Sequence, residues 1–134
     1  MNFPVLIAAS ITSLAFFAHT FVGIQEALKT NPQKLLPRVE EKVQQHWFQS
    51  MGAFQMVTID LLLLSLILWA IVLTDWVPAV REVTLLLSVW FFLWGIGWLV
   101  QLLFLTKKPK DYLVLIQWLF WLVNAVLLYV GAGG

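Results

Sequence analysis

The sequence predicts an all-α integral membrane protein, an up-down bundle of four transmembrane helices with both the N and C termini outside. Two features of the composition support this: 61% of the residues are hydrophobic and only 11% are charged. Such a chain has too little polar surface for a soluble domain of 134 residues. In addition, four apolar stretches are each long enough to cross a hydrocarbon core about 30 Å thick. Together with their loops they use the whole length, so we expect residues 1–134 to form a single domain.

The first apolar stretch covers residues 3–22. A secretory signal peptide would have Lys or Arg before its apolar stretch, and none is present here. We therefore expect residues 3–22 to be retained as a transmembrane helix. At 100° per residue its small and polar residues share one face, which is predicted to point into the bundle. These residues are Ala8, Thr12, Ala15, His19, Gly23 and Glu26.

A longer, charged connection leads to the second stretch, residues 51–73. Pro32 and Pro37 predict a turn near them, because the residue before a proline is disfavoured in a helix. Residues 37–50 then resume a helical pattern, with apolar residues at intervals of four. We expect a short amphipathic helix that runs directly into the second span, with Trp47 at the water boundary.

Residues 83–106 and 112–130 form the third and fourth stretches. Seven of the eight Lys and Arg residues lie in the first and third loops, whereas Arg81 lies alone in the second. Because cytoplasmic loops are enriched in Lys and Arg, those two loops are predicted to be cytoplasmic. The chain is therefore expected to be a multi-pass protein of a cytoplasmic-type cell membrane.

Each predicted span carries a polar side chain in its cytoplasmic half. At about 1.5 Å per residue, His19, Asp60, Gln101 and Gln117 lie roughly 5–15 Å below the boundary. The faces that carry them on the second, third and fourth helices also hold tryptophans and an asparagine, which predicts a polar, tryptophan-lined centre. The candidate ligand-binding residues are Asp60, His19, Gln101, Gln117, Asn124, Trp94 and Trp121. On the second helix the inward face is predicted to hold Gln49, Ala53, Met56 and Asp60, and on the third Trp90, Trp94, Gly97 and Gln101.

Two interpretations of this layer remain open. Gln101, Gln117 and Asn124 are typical of side chains that hydrogen-bond between transmembrane helices. Asp60 differs, because an acidic group at depth costs about 2.5–3.5 kcal/mol on insertion and needs a partner, protonation or water. Asp60 and His19 are therefore the candidate catalytic pair, for general acid–base chemistry on a lipid-soluble substrate. Whether the protein is an enzyme stays open.

Several kinds of chemistry are excluded or disfavoured. The absence of cysteine excludes disulfides, thiol chemistry and iron–sulfur clusters. Neither a clustered basic face for nucleic acid nor a phosphate-binding loop is present. Haem ligation by His19 and His46 is disfavoured because His46 is predicted to lie outside the membrane. The acids and histidines show no metal-ligand spacing, so no metal and no particular cofactor is predicted.

The tryptophans permit two interpretations as well. Trp90, Trp94 and Trp98 recur every four residues, with Trp118 and Trp121 on the next helix, an arrangement that suits a slot for an isoprenoid or a pigment. Ordinary packing and interfacial anchoring give the same repeat and are preferred. A transporter is less favoured, since four spans lack paired broken helices.

The end of the first span reads FAHTFVGIQE, a His-x-x-x-Gly pattern that precedes a proline-containing loop and a tryptophan-rich entry to the second span. In this first half the chain resembles a family of small four-span bacterial membrane proteins. The resemblance implies the same four-span fold and brings no activity with it.

The function favoured by these observations is that of an accessory or scaffold subunit that packs against a larger membrane complex. Its loops are small, so its sizeable surfaces face lipid, another membrane protein or a second copy of the chain. The alternative is a small membrane enzyme or binding protein for a lipid, isoprenoid or pigment-like molecule. The sequence does not name the ligand, the partner or the oligomeric state.

Overall fold

A computed structural model describes residues 2–133, and this part of the chain is all-helical. Three continuous helical stretches are long and apolar enough to cross a membrane, and a fourth apolar helix is shorter. In chain order the elements are α1 (Phe3–Phe17), a π-helical turn (Ala18–Gly23), α2 (Ile24–Lys29), α3 (Pro32–Leu35), α4 (Glu41–Leu73), α5 (Val80–Leu105), α6 (Pro109–Val114) and α7 (Gln117–Gly133).

The first three predicted spans correspond to long helices with shifted ends. The first continues beyond residue 22 to Lys29, so that Phe3–Lys29 is one helical stretch of 27 residues. The amphipathic segment and the second span form one helix, α4, of 33 residues, although it begins at Glu41 rather than near residue 37. The turn expected around the prolines contains the four-residue helix α3, which begins where the Asn31 side chain accepts a hydrogen bond from the Gln33 N–H.

The fourth predicted span, residues 112–130, differs from the structure. The helix is divided at Leu115 and Ile116, so that α6 precedes the break and α7 follows it. With 17 residues, α7 is shorter than the three other apolar stretches. Residues 112–116 carried the same apolar pattern as α7, and periodicity alone contained no sign of the break.

The chain divides into two compact units. Unit 1 contains Met1–Ala9 and Leu68–Gly134, and unit 2 contains Ser10–Ile67. Each unit is described by itself below.

Unit 1 is organised by the packing of α5 against α7. The two helices approach closely at Gly95, where an added Cβ would lie 2.6 Å from Cδ2 of Leu122. Phe91 fills the core of the pair and is completely buried. The two ends of the chain also meet in this unit, because Asn2 Nδ2 donates to the Gly131 carbonyl at 2.6 Å.

Unit 2 is an antiparallel pairing of the end of the first helical stretch with α4. Three contacts mark it: the Ser13 and Ser65 hydroxyls lie 2.6 Å apart, His19 lies against Phe54, and Trp47 Nε1 donates to Thr30 Oγ1 at 3.4 Å. Over these three contacts the residue number rises on the first stretch and falls on α4, so the two helices run in opposite directions. The register of this pair therefore places His19 beside the Phe54 level of α4.

The predicted inward faces are buried in part on the first and last helices and are largely exposed on the two between. Ala8, Thr12, Trp121 and Asn124 are buried, whereas Glu26 and Gln117 are exposed. On α4 the predicted face is largely exposed, with 69% of Met56 accessible, and the buried residues are Gln44, Leu61, Leu64, Ser65 and Leu68. On α5 the buried residues are Thr84, Leu87, Ser88, Phe91, Gly95 and Leu102. Both helices are apolar on every side, so their sparse polar residues gave a misleading indication of the packed face.

Candidate functional site

The residues predicted to form one polar layer fall into both units. His19 and Asp60 belong to unit 2, and the other five belong to unit 1: Gln101, Gln117, Asn124, Trp94 and Trp121. We therefore examine each group within its own unit.

His19 lies in the π-helical turn, where the Ile24 N–H bonds to the carbonyl of His19, five residues earlier. Such a turn inserts one extra residue into a helix and is frequent at functional sites. Its effect here is to rotate the residues that follow, so the single face predicted from Ala8 to Glu26 does not continue to its end, and Glu26 is exposed.

The partner of His19 is Phe54 on α4. The two rings stack with their centroids 3.9 Å apart and their planes 16° from parallel. His19 Nε2 also lies 3.2 Å from the Phe54 carbonyl oxygen. Gly23 makes this contact possible, because an added Cβ there would come within 3.0 Å of Phe54 Cζ. The sequence did not single out Phe54, since nothing distinguishes it from the other phenylalanines.

Asp60 is half-buried on α4 and interacts with its surroundings. It lies six residues beyond Phe54, which corresponds to about 9 Å along the helix axis. The proposed catalytic pairing of Asp60 with His19 remains a prediction, and the contacts that the structure gives to His19 are those with Phe54.

A hydroxyl pair lies one turn of α4 further on. Ser13 and Ser65 face each other with oxygens 2.6 Å apart, and Ser65 is buried. A bond of this kind satisfies two polar groups that an apolar environment would leave unpaired, so it holds the two helices in one register. This pair was not among the predicted site residues.

In unit 1 the structure brings Trp94 and Trp121 together. Their rings stack with centroids 5.3 Å apart and planes 17° from parallel, and Phe91 packs against Trp121 at 5.4 Å. Because the two tryptophans contact each other, the space between them is filled by their own rings.

Asn124 is completely buried next to this cluster. Its Nδ2 donates to the Phe120 carbonyl, one turn earlier on α7, at 2.8 Å. At the next residue, the buried Ser88 hydroxyl donates to the Ala125 carbonyl at 2.7 Å and so links α5 to α7. The bond of Ser88 is typical of polar side chains that join packed helices, whereas that of Asn124 lies within α7.

Gln101 and Gln117 lie on the surface of the structure, and both are exposed. Gln101 follows Gly97 by one turn of α5, and no atom lies within 4 Å of the position that a Cβ would occupy at Gly97. Trp90, at the other end of this face, is 47% exposed. Apart from Trp94, which packs against Trp121, the face predicted to point inward on the third helix is therefore exposed.

Within residues 2–133, no cluster of three or more His, Asp and Glu side chains is placed to hold a metal ion. An open groove of about 340 Å³ runs along α7, lined by Leu119, Leu122, Val123, Val126 and Leu127. The groove presents no polar group that would orient a ligand, so it is suited to apolar contacts only.

These features define an all-helical chain with three helices long and apolar enough to cross a bilayer, in which the hydroxyls of Ser13, Ser65 and Ser88 form hydrogen bonds between packed helices. Comparison of the chain with protein families, with curated proteins and with solved structures gives no match.

Proposed function

We propose that this protein is an accessory or scaffold subunit of a cell membrane, which packs against the transmembrane helices of a larger complex or of a second copy. In this proposal the chain crosses the membrane four times, with α7 as the fourth span and both termini outside. The contact of Asn2 with Gly131 supports the topology, because it requires both ends to lie on one side. The distribution of Lys and Arg supports the orientation.

The outer face of α5 is the observation that carries the proposal. Within residues 2–133 the Gln101 side chain makes no hydrogen bond, and it projects from the apolar part of the helix beside the open position at Gly97. Lipid tails cannot bond to a carboxamide, whereas a neighbouring helix can, and a glycine one turn away allows a close approach. A carboxamide both donates and accepts, so it suits a partner subunit or another copy of this chain.

The interior of unit 1 also favours this function over ligand binding. The aromatic rings of Trp94, Trp121 and Phe91 fill the centre of the α5–α7 pair. The polar residues Asn124 and Ser88 have their bonds within the pair. The Gln101 carboxamide of the same unit lies on the outside, as expected of a subunit that is completed by its neighbours.

The test is gentle solubilisation of the tagged protein followed by native mass spectrometry. We expect the chain to be found with a stoichiometric partner or as a homo-oligomer. The variant Gln101→Leu should weaken that association about 3- to 30-fold, the range for one interhelical hydrogen bond of about 0.6–2 kcal/mol. Leu103→Ala, which changes an exposed residue on another side of α5, is the matched control and should leave it unchanged.

A bare monomer in the wild-type preparation would contradict the proposal, as would equal behaviour of the Gln101→Leu and Leu103→Ala variants. Association of another membrane protein and self-association are distinguished by the masses themselves. In either case we expect removal of the Gln101 carboxamide to weaken the association.

The alternative function, a small membrane enzyme or binding protein for a lipid, isoprenoid or pigment-like molecule, is favoured by unit 2. There the π-helical turn holds His19 against Phe54, and Asp60 is half-buried on the same helix as Phe54. A retained small molecule on a monomer in the same mass spectra would support it. Loss of that molecule in Asp60→Asn would then assign the binding to this unit.

A further inference from the structure

Two tryptophan side chains donate hydrogen bonds to backbone carbonyls at the break between α6 and α7. Trp98 Nε1 donates to the Leu115 carbonyl at 3.3 Å, and Trp118 Nε1 donates to the Tyr112 carbonyl at 2.9 Å. A helix that breaks leaves carbonyls without their intrahelical donors, and here the two indoles supply donors from within the protein. Two indoles that serve this one break indicate a built feature of the fold.

The break also leaves the fourth apolar helix short. The 17 residues of α7 span about 25 Å, roughly one turn less than a hydrocarbon core of about 30 Å. The deficit falls at the end that adjoins the break. In a membrane, the segment before α7 must therefore lie near the lipid headgroups rather than continue the span.

The segment of residues 107–116, which we call the anchor segment, has the composition of an interfacial element. Lys107, Lys108 and Lys110 are exposed, and none of them forms an ion pair within residues 2–133. The nearby carboxylate of Asp111 instead accepts a hydrogen bond from the Thr106 hydroxyl. The positive charges of the segment are thus left without an acidic partner among the described residues.

Apolar residues follow these lysines directly. Leu113, Val114, Leu115 and Ile116 are all exposed, with 72% of Leu113 accessible. Lysines without an acidic partner beside exposed apolar side chains match the surface of a lipid bilayer, where anionic headgroups cover an apolar interior. Exposed cations alone would suit an acidic protein as well, but the adjoining apolar residues and the short α7 favour lipid.

We propose that the anchor segment lies in the headgroup layer and binds the phosphate groups of anionic phospholipids through Lys107, Lys108 and Lys110. This inference rests on the membrane setting of the proposed function. The apolar residues 113–116 insert into the same leaflet, and the indoles of Trp98 and Trp118 hold the chain in the bend. The bilayer is locally thinned to match α7.

The first experiment measures lipid selectivity. The protein is reconstituted in nanodiscs of equal phosphatidylglycerol and phosphatidylcholine, released, and its retained lipids are counted by native mass spectrometry. We expect the wild type to be enriched about 5-fold or more in phosphatidylglycerol and the variant Lys107→Gln/Lys108→Gln/Lys110→Gln to lose that enrichment. The control Lys34→Gln/Arg38→Gln/Lys42→Gln removes the same charge from the other basic loop and should retain it.

Equal loss in both triple variants, or loss in neither, would overturn the inference. A carbonate wash separates this failure from that of the proposed function. Protein that stays in the membrane pellet without lipid selectivity contradicts only the anchor segment, whereas protein released by the wash contradicts the membrane setting as well.

The second experiment measures depth. Because the chain has no cysteine, a single spin label can be placed at Leu113→Cys, Val114→Cys, Leu115→Cys and Ile116→Cys in turn. For an interfacial segment we expect all four labels at nearly the same depth near the headgroups. A depth that increases by about 1.5 Å per residue would show a continuous span from residue 112 and would overturn the inference.

Discussion

The imidazole of His19 lies flat against the phenyl ring of Phe54, and its Nε2 faces the carbonyl oxygen of the same residue at 3.2 Å. Since a carbonyl only accepts hydrogen bonds, Nε2 is the donor of this bond. The other nitrogen, Nδ1, lies toward Gly23. One histidine therefore joins two helices both by its ring face and by its edge.

Replacement of His19 separates these two contributions. His19→Phe keeps the ring contact and loses the hydrogen bond, so we expect it to lower the free energy of unfolding by about 0.5–1.5 kcal/mol. His19→Ala loses both and should cost about 2 kcal/mol or more. Thermal unfolding in detergent measures the difference, with the exposed His46→Phe as the control. Equal losses in the two His19 variants would show that the ring contact contributes nothing.

Two glycines two residues apart on α5 should respond differently to alanine. At Gly95 the new methyl group would lie within 2.8 Å of two side-chain atoms of Leu122. The helices must then separate, and we expect a loss of about 1–3 kcal/mol. At Gly97 nothing lies within 4 Å, so alanine should be neutral or stabilise by up to about 1 kcal/mol through its higher helix propensity. The same unfolding measurement compares them, and a Gly95→Ala variant as stable as Gly97→Ala would be inconsistent with the close approach to Leu122.

The hydroxyls of Ser13 and Ser65 should be energetically coupled. Each single alanine variant removes one of the two hydroxyls of this bond, whereas the double variant removes both. A double-mutant cycle of Ser13→Ala and Ser65→Ala should therefore give a coupling energy of about 0.5–2 kcal/mol. Additive effects would show that the 2.6 Å contact adds nothing to stability.

Removal of the charge at Asp60 should be tolerated. An acidic group at depth opposes insertion by about 2.5–3.5 kcal/mol, and the amide of Asn keeps hydrogen-bonding capacity without the charge. We expect Asp60→Asn to have unchanged or slightly higher stability and unchanged association with its partner. Asp75→Asn, in the exposed connection before α5, is the control. A specific loss of turnover or of a bound small molecule in Asp60→Asn would instead support the alternative function.

The start of α5 contains a strained residue. Ala79 has φ 49° and ψ 48°, the left-handed conformation that costs a non-glycine residue roughly 1–2 kcal/mol. Glycine adopts it freely but loses more entropy on folding, so Ala79→Gly should stabilise by about 0.5–1 kcal/mol. The substitution Ala79→Val should destabilise, because a β-branched residue fits this conformation poorly. Melting temperatures of the two variants check the sign of each change.

The sequence predicted the helices well because membrane-length apolar stretches leave few alternatives. It also identified part of the inward face on the first and last helices, where polar or small residues coincide with close packing, as at Thr12 and Asn124. On α4 and α5 the prediction was wrong because apolar residues surround the helix, so the buried side depends on complementary shapes such as Gly95 against Leu122.

The local geometry and the hydrogen bonds of the candidate sites could not be predicted from the sequence, for similar reasons. The π-helical turn changes the register of His19 by one residue, and 100° periodicity cannot represent that change. The break at Leu115 depends on indole donors 17 residues earlier and three residues later. Such long-range hydrogen bonds leave no local pattern, although the proximity of Trp98 and Trp118 to a lysine-rich loop was visible.

Helix α4 is longer than a membrane span and has no break. Its 33 residues extend about 50 Å, and a bilayer core accounts for only about 30 Å of that. In a bilayer the charged first turns would therefore extend beyond the hydrocarbon core, on the same continuous helix that carries Phe54, Asp60 and Ser65. A change in the tilt of the Glu41 end would therefore be transmitted along α4 to Phe54, Asp60 and Ser65, because no break interrupts the helix between them.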